Sequence, residues 1–264
     1  MDEVEKIEYY LNKDHHKNVF FNPGIPPAWE FPGYHFDLKA NASGEIDKPG
    51  YNNFKLNNLG YRSNFDYTVE SLAGKQIILC LGDSDTFGRS IQYDDLWTTK
   101  ITNTFPDYIV MNMGIPGAGA DTMTRIASNM FSALGDSIKI VLAPWAMYSR
   151  REFVTKKFQM LVYQTPTGEE EILPFPDYWD YIDWKSNSYN FYKNKRFLEA
   201  LVKANHSELY DLEINPDTPV IKNDFIAKAK SHGRSLGVNT HTAIANYFEK
   251  CIKKEPSLFQ KMRP

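Results

Sequence analysis

The chain has 264 residues, of which 42% are apolar, 24% charged and 14% aromatic, with a formal net charge of −3. That is the composition of a globular domain large enough for a substantial core, and it lacks the basic excess of a nucleic-acid binder. Two scattered cysteines, Cys80 and Cys251, make neither a disulfide framework nor a metal-ligand spacing.

The N-terminal stretch is acidic and amphipathic, with Val4, Ile7 and Leu11 on one face of an expected helix over residues 3–12. It lacks the basic and apolar regions of a signal peptide, and no apolar run reaches membrane-spanning length, so a cytoplasmic protein is expected. Residues 20–49 carry Pro23, Pro26, Pro27, Pro32 and Pro49 among several aromatics. Proline at this density forbids long helices and central strands, and the aromatics predict an irregular arm packed on the core. The expected division is therefore an N-terminal arm over 1–70 and an α/β domain over 71–264.

The run Gln76–Leu81 is apolar and rich in branched residues, as a buried parallel strand requires, and it breaks at Gly82-Asp83-Ser84. A serine on a tight turn just past such a strand sits where open α/β sheets place their ligands. A helix is expected over 94–104, a second strand over 108–113, a helix over 121–134 and a third strand over 138–143. Strands and helices alternating at this spacing imply right-handed crossovers and a parallel sheet. Beyond it, residues 159–173 have the pattern of a hairpin about Thr165-Pro166-Thr167-Gly168. Nine aromatics between Phe175 and Phe197 predict an insertion, spanning about 151–195, with a small core of its own; their other use would be to stack on sugar rings or line an acyl pocket. Helices are expected over 197–212 and 240–253.

Gly82-Asp83-Ser84-Asp85-Thr86-Phe87-Gly88 resembles the first block, GDSxTxG, of the SGNH (GDSL-type) hydrolases, which include esterases, lipases and carbohydrate deacetylases. Asn57-x-x-Gly60-Tyr61-Arg62 resembles a segment found upstream of that block in a subset of these proteins; read alone it is a glycine turn with a surface arginine. Asn112-x-Gly114-x-x-Gly117 resembles the second block. Gly114–Gly119 also has the look of a dinucleotide-binding loop, but no acidic residue ends the following strand to hold a ribose. The resemblance covers about residues 57–150 and 224–252. It implies a three-layer α/β/α sandwich with a central parallel sheet, SGNH- or flavodoxin-like, to which the irregular arm and the inserted hairpin are added. It also implies that Ser84 is the nucleophile and that the N–H groups of Ser84 and Gly117 form an oxyanion hole. No cofactor and no metal are called for.

Two blocks depart from the family. The third normally supplies an asparagine to the oxyanion hole, yet residues 143–150 contain none. The fifth normally reads D-x-x-H. Here Gly233, Gly237, His241 and Ile244-Ala245 keep the frame, but His232 stands at the aspartate position and Ser235 at the histidine position. A serine cannot serve as the base that a serine nucleophile needs. In one reading His232 has moved into that role, with Asp224 or another acid orienting it. His241 is the second candidate, and in the family frame it is a helix-terminal surface or packing residue. In the third reading the site is silent and the fold serves binding or assembly, for example as a component of a phage particle. Asp83, Asp85, Trp145 and Ser235 complete the candidate pocket. The ligand expected of it is a small-molecule or carbohydrate ester, such as an O-acetyl group, and neither nucleic acid nor a membrane is an expected partner.

Overall fold

A computed structural model describes residues 54–88, 91–115, 118–145, 148, 150–154, 159–162, 184–214 and 237–254, with Glu5 and Ser43–Gly44. Apart from Glu5, which is helical, the helix expected over 3–12 lies outside the described residues, as does most of the proline-rich arm.

Among the described residues the centre is a four-stranded parallel sheet made of β1 (Gln76–Gly82), β2 (Tyr108–Gly114), β3 (Ile138–Trp145) and β6 (Glu208–Glu213), in the order β2-β1-β3-β6. Gln76 pairs with Tyr108 and Gly82 with Gly114, while Trp145 at the end of β3 pairs with Glu213 at the end of β6. Helices cover both faces, which is why β1 is buried along all but its first residue. Ile77, Leu79 and Leu81 face one core with α4 (Ala120–Leu134) and α5 (Trp184–Ala204), where Met123, Ile126, Phe191 and Leu198 pack. Ile78 and Cys80 face the other, with Trp97 and Ile101 of α3 (Trp97–Thr104) and Ile244 and Phe248 of α6 (Val238–Ile252). The three-layer α/β/α sandwich with a parallel sheet is thus the observed fold.

One expectation is corrected. No helix spans 197–212: α5 starts at Trp184 and ends at Ala204, and the chain then forms β6, the fourth strand of the sheet. A hairpin not expected from the sequence pairs β4 (Arg151–Val154) with β5 (Gln159–Val162) through Arg151↔Val162 and Val154↔Gln159. The part of the expected hairpin beyond residue 162 lies outside the described residues. Of the aromatic stretch, Phe191 enters the main core through α5, while residues 175–183 lie outside the described residues.

Buried polar groups fasten α5 to α4. Asp121 accepts hydrogen bonds from Asn190 Nδ2 (3.0 Å) and Asn194 Nδ2 (2.7 Å), and Thr124 Oγ1 donates to Asn194 Oδ1 (2.8 Å). Asp121 also accepts from the Glu152 backbone N–H, and the Glu152 carboxylate takes a two-pronged bond from Arg125, so the β4 end of the hairpin is joined to α4. Among the described residues no helix is long and apolar enough to cross a membrane, and no group of three acidic, His or Cys side chains is placed to hold a metal ion.

Candidate functional site

The order β2-β1-β3 places a topological switch point between β1 and β3, and the crevice outside their carboxyl ends is where ligands of such sheets bind. β1, which follows the short helix α1 (Val69–Leu72), leads there directly into a single helical turn, α2 (Ser84–Phe87). Asp83 caps it by accepting the Asp85 N–H at 3.0 Å, and Gly88 ends it in the left-handed region at φ 77°. Ser84 is the first helical residue and is half-buried. No described residue hydrogen-bonds to its Oγ or accepts from its N–H.

Sterics and hydrogen bonds leave this turn little freedom. A Cβ on Gly82, whose φ is +146°, would lie 2.0 Å from Thr86 Oγ1, and one on Gly114 would lie 2.3 Å from the Phe87 backbone nitrogen. Only glycine at both strand ends allows the turn to sit against them. Thr86 Oγ1 donates back to the Leu81 carbonyl (3.1 Å). Asn112 donates to the Thr86 carbonyl (3.0 Å) and to Thr98 Oγ1 (3.2 Å), while its Oδ1 accepts from Gly114 N–H (3.0 Å). The asparagine and glycines of the first two blocks therefore have structural duties around the serine.

Arg62 grips the turn from the other side. It is 2% exposed, so it is not the surface arginine of the simplest sequence reading. Nη1 donates to the carbonyls of Gly88 and Phe87, and Nη2 to that of Ile91 (2.7 Å). Burial lowers its pKa to about 10, which leaves it charged at neutral pH. The rest of the upstream segment presents this arginine: Asn57 Oδ1 accepts from the N–H groups of Leu59 and Tyr61 and closes the turn through Gly60 at φ 84°.

The segment after β3 contributes Arg150, which sequence reasoning did not single out. Its Nη1 pairs with Asp83 Oδ2 and reaches the Ala118 carbonyl at 3.4 Å. Its own carbonyl lies so close to Gly119 that a Cβ there would approach to 2.5 Å. Arg150 thus ties the serine turn to the loop between β2 and α4, next to Gly117.

Asp83, Ser84 and Asp85 are brought together at this crevice. Trp145 is placed in the core instead of on a pocket wall: it is 1% exposed, packs edge-on against Phe191 at 5.4 Å, and donates its indole N–H to Asp211 (2.9 Å). Gly117, His232, Ser235 and Asp224 lie outside the described residues. His241 is a packing residue and not a surface one, since it is 1% exposed and its Nδ1 accepts the N–H of Trp97 (3.1 Å). It does for α3 what a side-chain cap would do, because Leu96 at the cap position supplies no such bond. An open groove of about 560 Å³, lined by Glu199, Lys203, His206 and Asp211 among others, runs along α5 and β6 and includes none of the residues around Ser84.

No protein-family model matches the chain, and none of the curated proteins matches it in sequence. Solved structures do resemble it distantly. A protein described as lipolytic, of the G-D-S-L family, from Desulfitobacterium hafniense aligns at 15% identity and TM-score 0.32, over 68% of this chain and 73% of that one. A member of the lipolytic protein G-D-S-L family from Veillonella parvula aligns at 12% identity and TM-score 0.36, over 68% and 99%. A GDSL-like lipase from Bacteroides thetaiotaomicron aligns at 12% identity and TM-score 0.33, over 68% and 88%.

Proposed function

We propose that the chain is a carboxylic-ester hydrolase of the SGNH type, acting on a small or carbohydrate ester such as an O-acetyl group. The observation that carries this reading is the placement of Ser84. It opens a rigidly held turn at the switch point of a parallel sheet, and no described residue accepts from its N–H. In the reaction Ser84 Oγ attacks the ester carbonyl carbon while His232 takes its proton. The N–H groups of Ser84 and Gly117 stabilise the oxyanion, a contribution that can reach about a hundred- to a thousandfold per donor. Collapse of the intermediate expels the alcohol, which recovers the proton, and water then releases the acid from the acyl-enzyme by the same steps. Arg150 acts as a positioning residue that holds the two N–H-bearing loops together through Asp83 and the Ala118 carbonyl.

Release of p-nitrophenol from p-nitrophenyl acetate tests this. Turnover by the intact chain, lost in Ser84→Ala and reduced by orders of magnitude in His232→Ala, is the expected result. Turnover unchanged in Ser84→Ala would remove the serine from the mechanism. A second reading, a silent SGNH-fold binding or structural protein, is favoured by one feature: the segment after β3 contains no asparagine for the oxyanion hole.

A further inference from the structure

A second cluster of chemistry stands at the same end of the sheet as Ser84, beyond β3 at the end of β6. Tyr148 and Tyr192 are 37% and 46% exposed. They rest on a firm base. The Tyr148 ring lies 4.3 Å from the buried Phe191 ring, which meets Trp145 edge-on at 5.4 Å, and the Tyr148 and Tyr192 centroids are 6.1 Å apart. A chain of polar bonds borders the rings. Tyr148 Oη donates to Glu213 Oε2 (2.8 Å), and Lys195 Nζ bridges Glu213 Oε1 (3.0 Å) and Asp211 Oδ2 (2.7 Å). Partial burial, together with the Glu213 carboxylate, raises the Tyr148 pKa, so its hydroxyl remains a neutral donor.

The geometry points to a glycan-binding platform in which the exposed tyrosine faces stack on the C–H face of a sugar ring and Glu213 and Lys195 address its hydroxyls. The chemistry selects this occupant. An acyl chain would find charged groups along the border of the rings, and a nucleic acid would meet two carboxylates on a chain of net charge −3. A sugar presents an apolar face with a polar rim, matching an aromatic floor edged by carboxylate and ammonium groups. Position supports the same ligand. Glu213 ends the strand two places from β1, about 10 Å away at the usual strand spacing, so one oligosaccharide can lie across both the tyrosines and Ser84. The platform does not depend on Ser84 being active, since it would serve a silent binding protein equally.

The test is affinity electrophoresis of the intact Ser84→Ala chain through gels containing partially O-acetylated xylan, its alkali-deacetylated form, dextran or a bacterial O-antigen polysaccharide. Retardation by at least one polysaccharide is expected. It should weaken roughly tenfold in Tyr192→Ala, the loss of one stacked ring, and persist in Tyr192→Phe. Tyr148→Ala should behave like Tyr192→Ala, with a thermal melt confirming that it folds. Migration unaffected by all four polysaccharides overturns the proposal, as does retardation indifferent to both alanine variants. A dimer that becomes monomeric in Tyr192→Ala also overturns it, by assigning the face to a second copy of the chain. Because the protein tested cannot use Ser84, these results stand apart from the hydrolase reading.

Discussion

The turn after β1 and the segment after β3 face the same crevice but are built differently. The serine turn is determined by its surroundings: glycines at both strand ends, Asn112 below it and Arg62 behind it leave one place for Ser84. The end of β3 and the described residues after it are held by longer-range pairs, Trp145 with Asp211, Tyr148 with Glu213 and Arg150 with Asp83. A backbone fitted as closely as the serine turn tolerates little change in sequence, and its determinants lie within a few residues of the serine or at the neighbouring strand end. The segment after β3 is tied instead by a side-chain pair between distant elements, Arg150 with Asp83.

Substitutions should separate the two regions by size of effect. Arg62→Leu should be the most damaging, since it leaves the carbonyls of Gly88, Phe87 and Ile91 without their buried donor; a loss of about 3 kcal/mol or more in urea unfolding is expected. A loss below about 0.5 kcal/mol would mean that the turn is not held from this side. Asn112→Ala removes two donated bonds and one accepted bond, and should cost about 2–3 kcal/mol by the same measurement.

Arg150→Gln should cost less, about 1–2 kcal/mol, because water can reach this partly buried pair. Under the proposed hydrolase reading its larger effect should fall on turnover, lowering kcat more than it raises KM, since it loosens the geometry around the N–H groups proposed to hold the oxyanion. Equal changes in the wild-type and Asp83→Asn backgrounds would show that the pair is not coupled. His241→Ala strands the Trp97 N–H and should cost about 1 kcal/mol, read as a lower melting temperature. Lys253→Ala, which breaks an exposed i,i+4 pair with Glu249, should change stability by less than about 0.5 kcal/mol.

The same contrast explains what could be read from the amino-acid order. β1, β2 and β3 were legible because burial on both faces demands continuous apolar runs. β6 was not, because Glu208-Leu209-Tyr210-Asp211-Leu212-Glu213 stands at the edge of the described sheet and its charged residues serve Lys195, Tyr148 and Trp145. The start of α5 was hidden for a related reason: its buried face uses Asn187, Asn190 and Asn194, and a polar stripe gives no apolar periodicity. Ser84 and its glycines could be found by local pattern. Arg150 could not, since its partner lies 67 residues away. Arg62 was visible as part of a motif, but its burial depends on carbonyls 25–29 residues downstream.

The proposed hydrolysis requires Ser84 to be an activated nucleophile, which a fluorophosphonate probe applied to the folded chain reads out. One adduct per chain is expected, mapped by mass spectrometry to Ser84, absent in Ser84→Ala and formed much more slowly in His232→Ala. A folded chain that acquires no adduct, or acquires it equally well without Ser84, would contradict it.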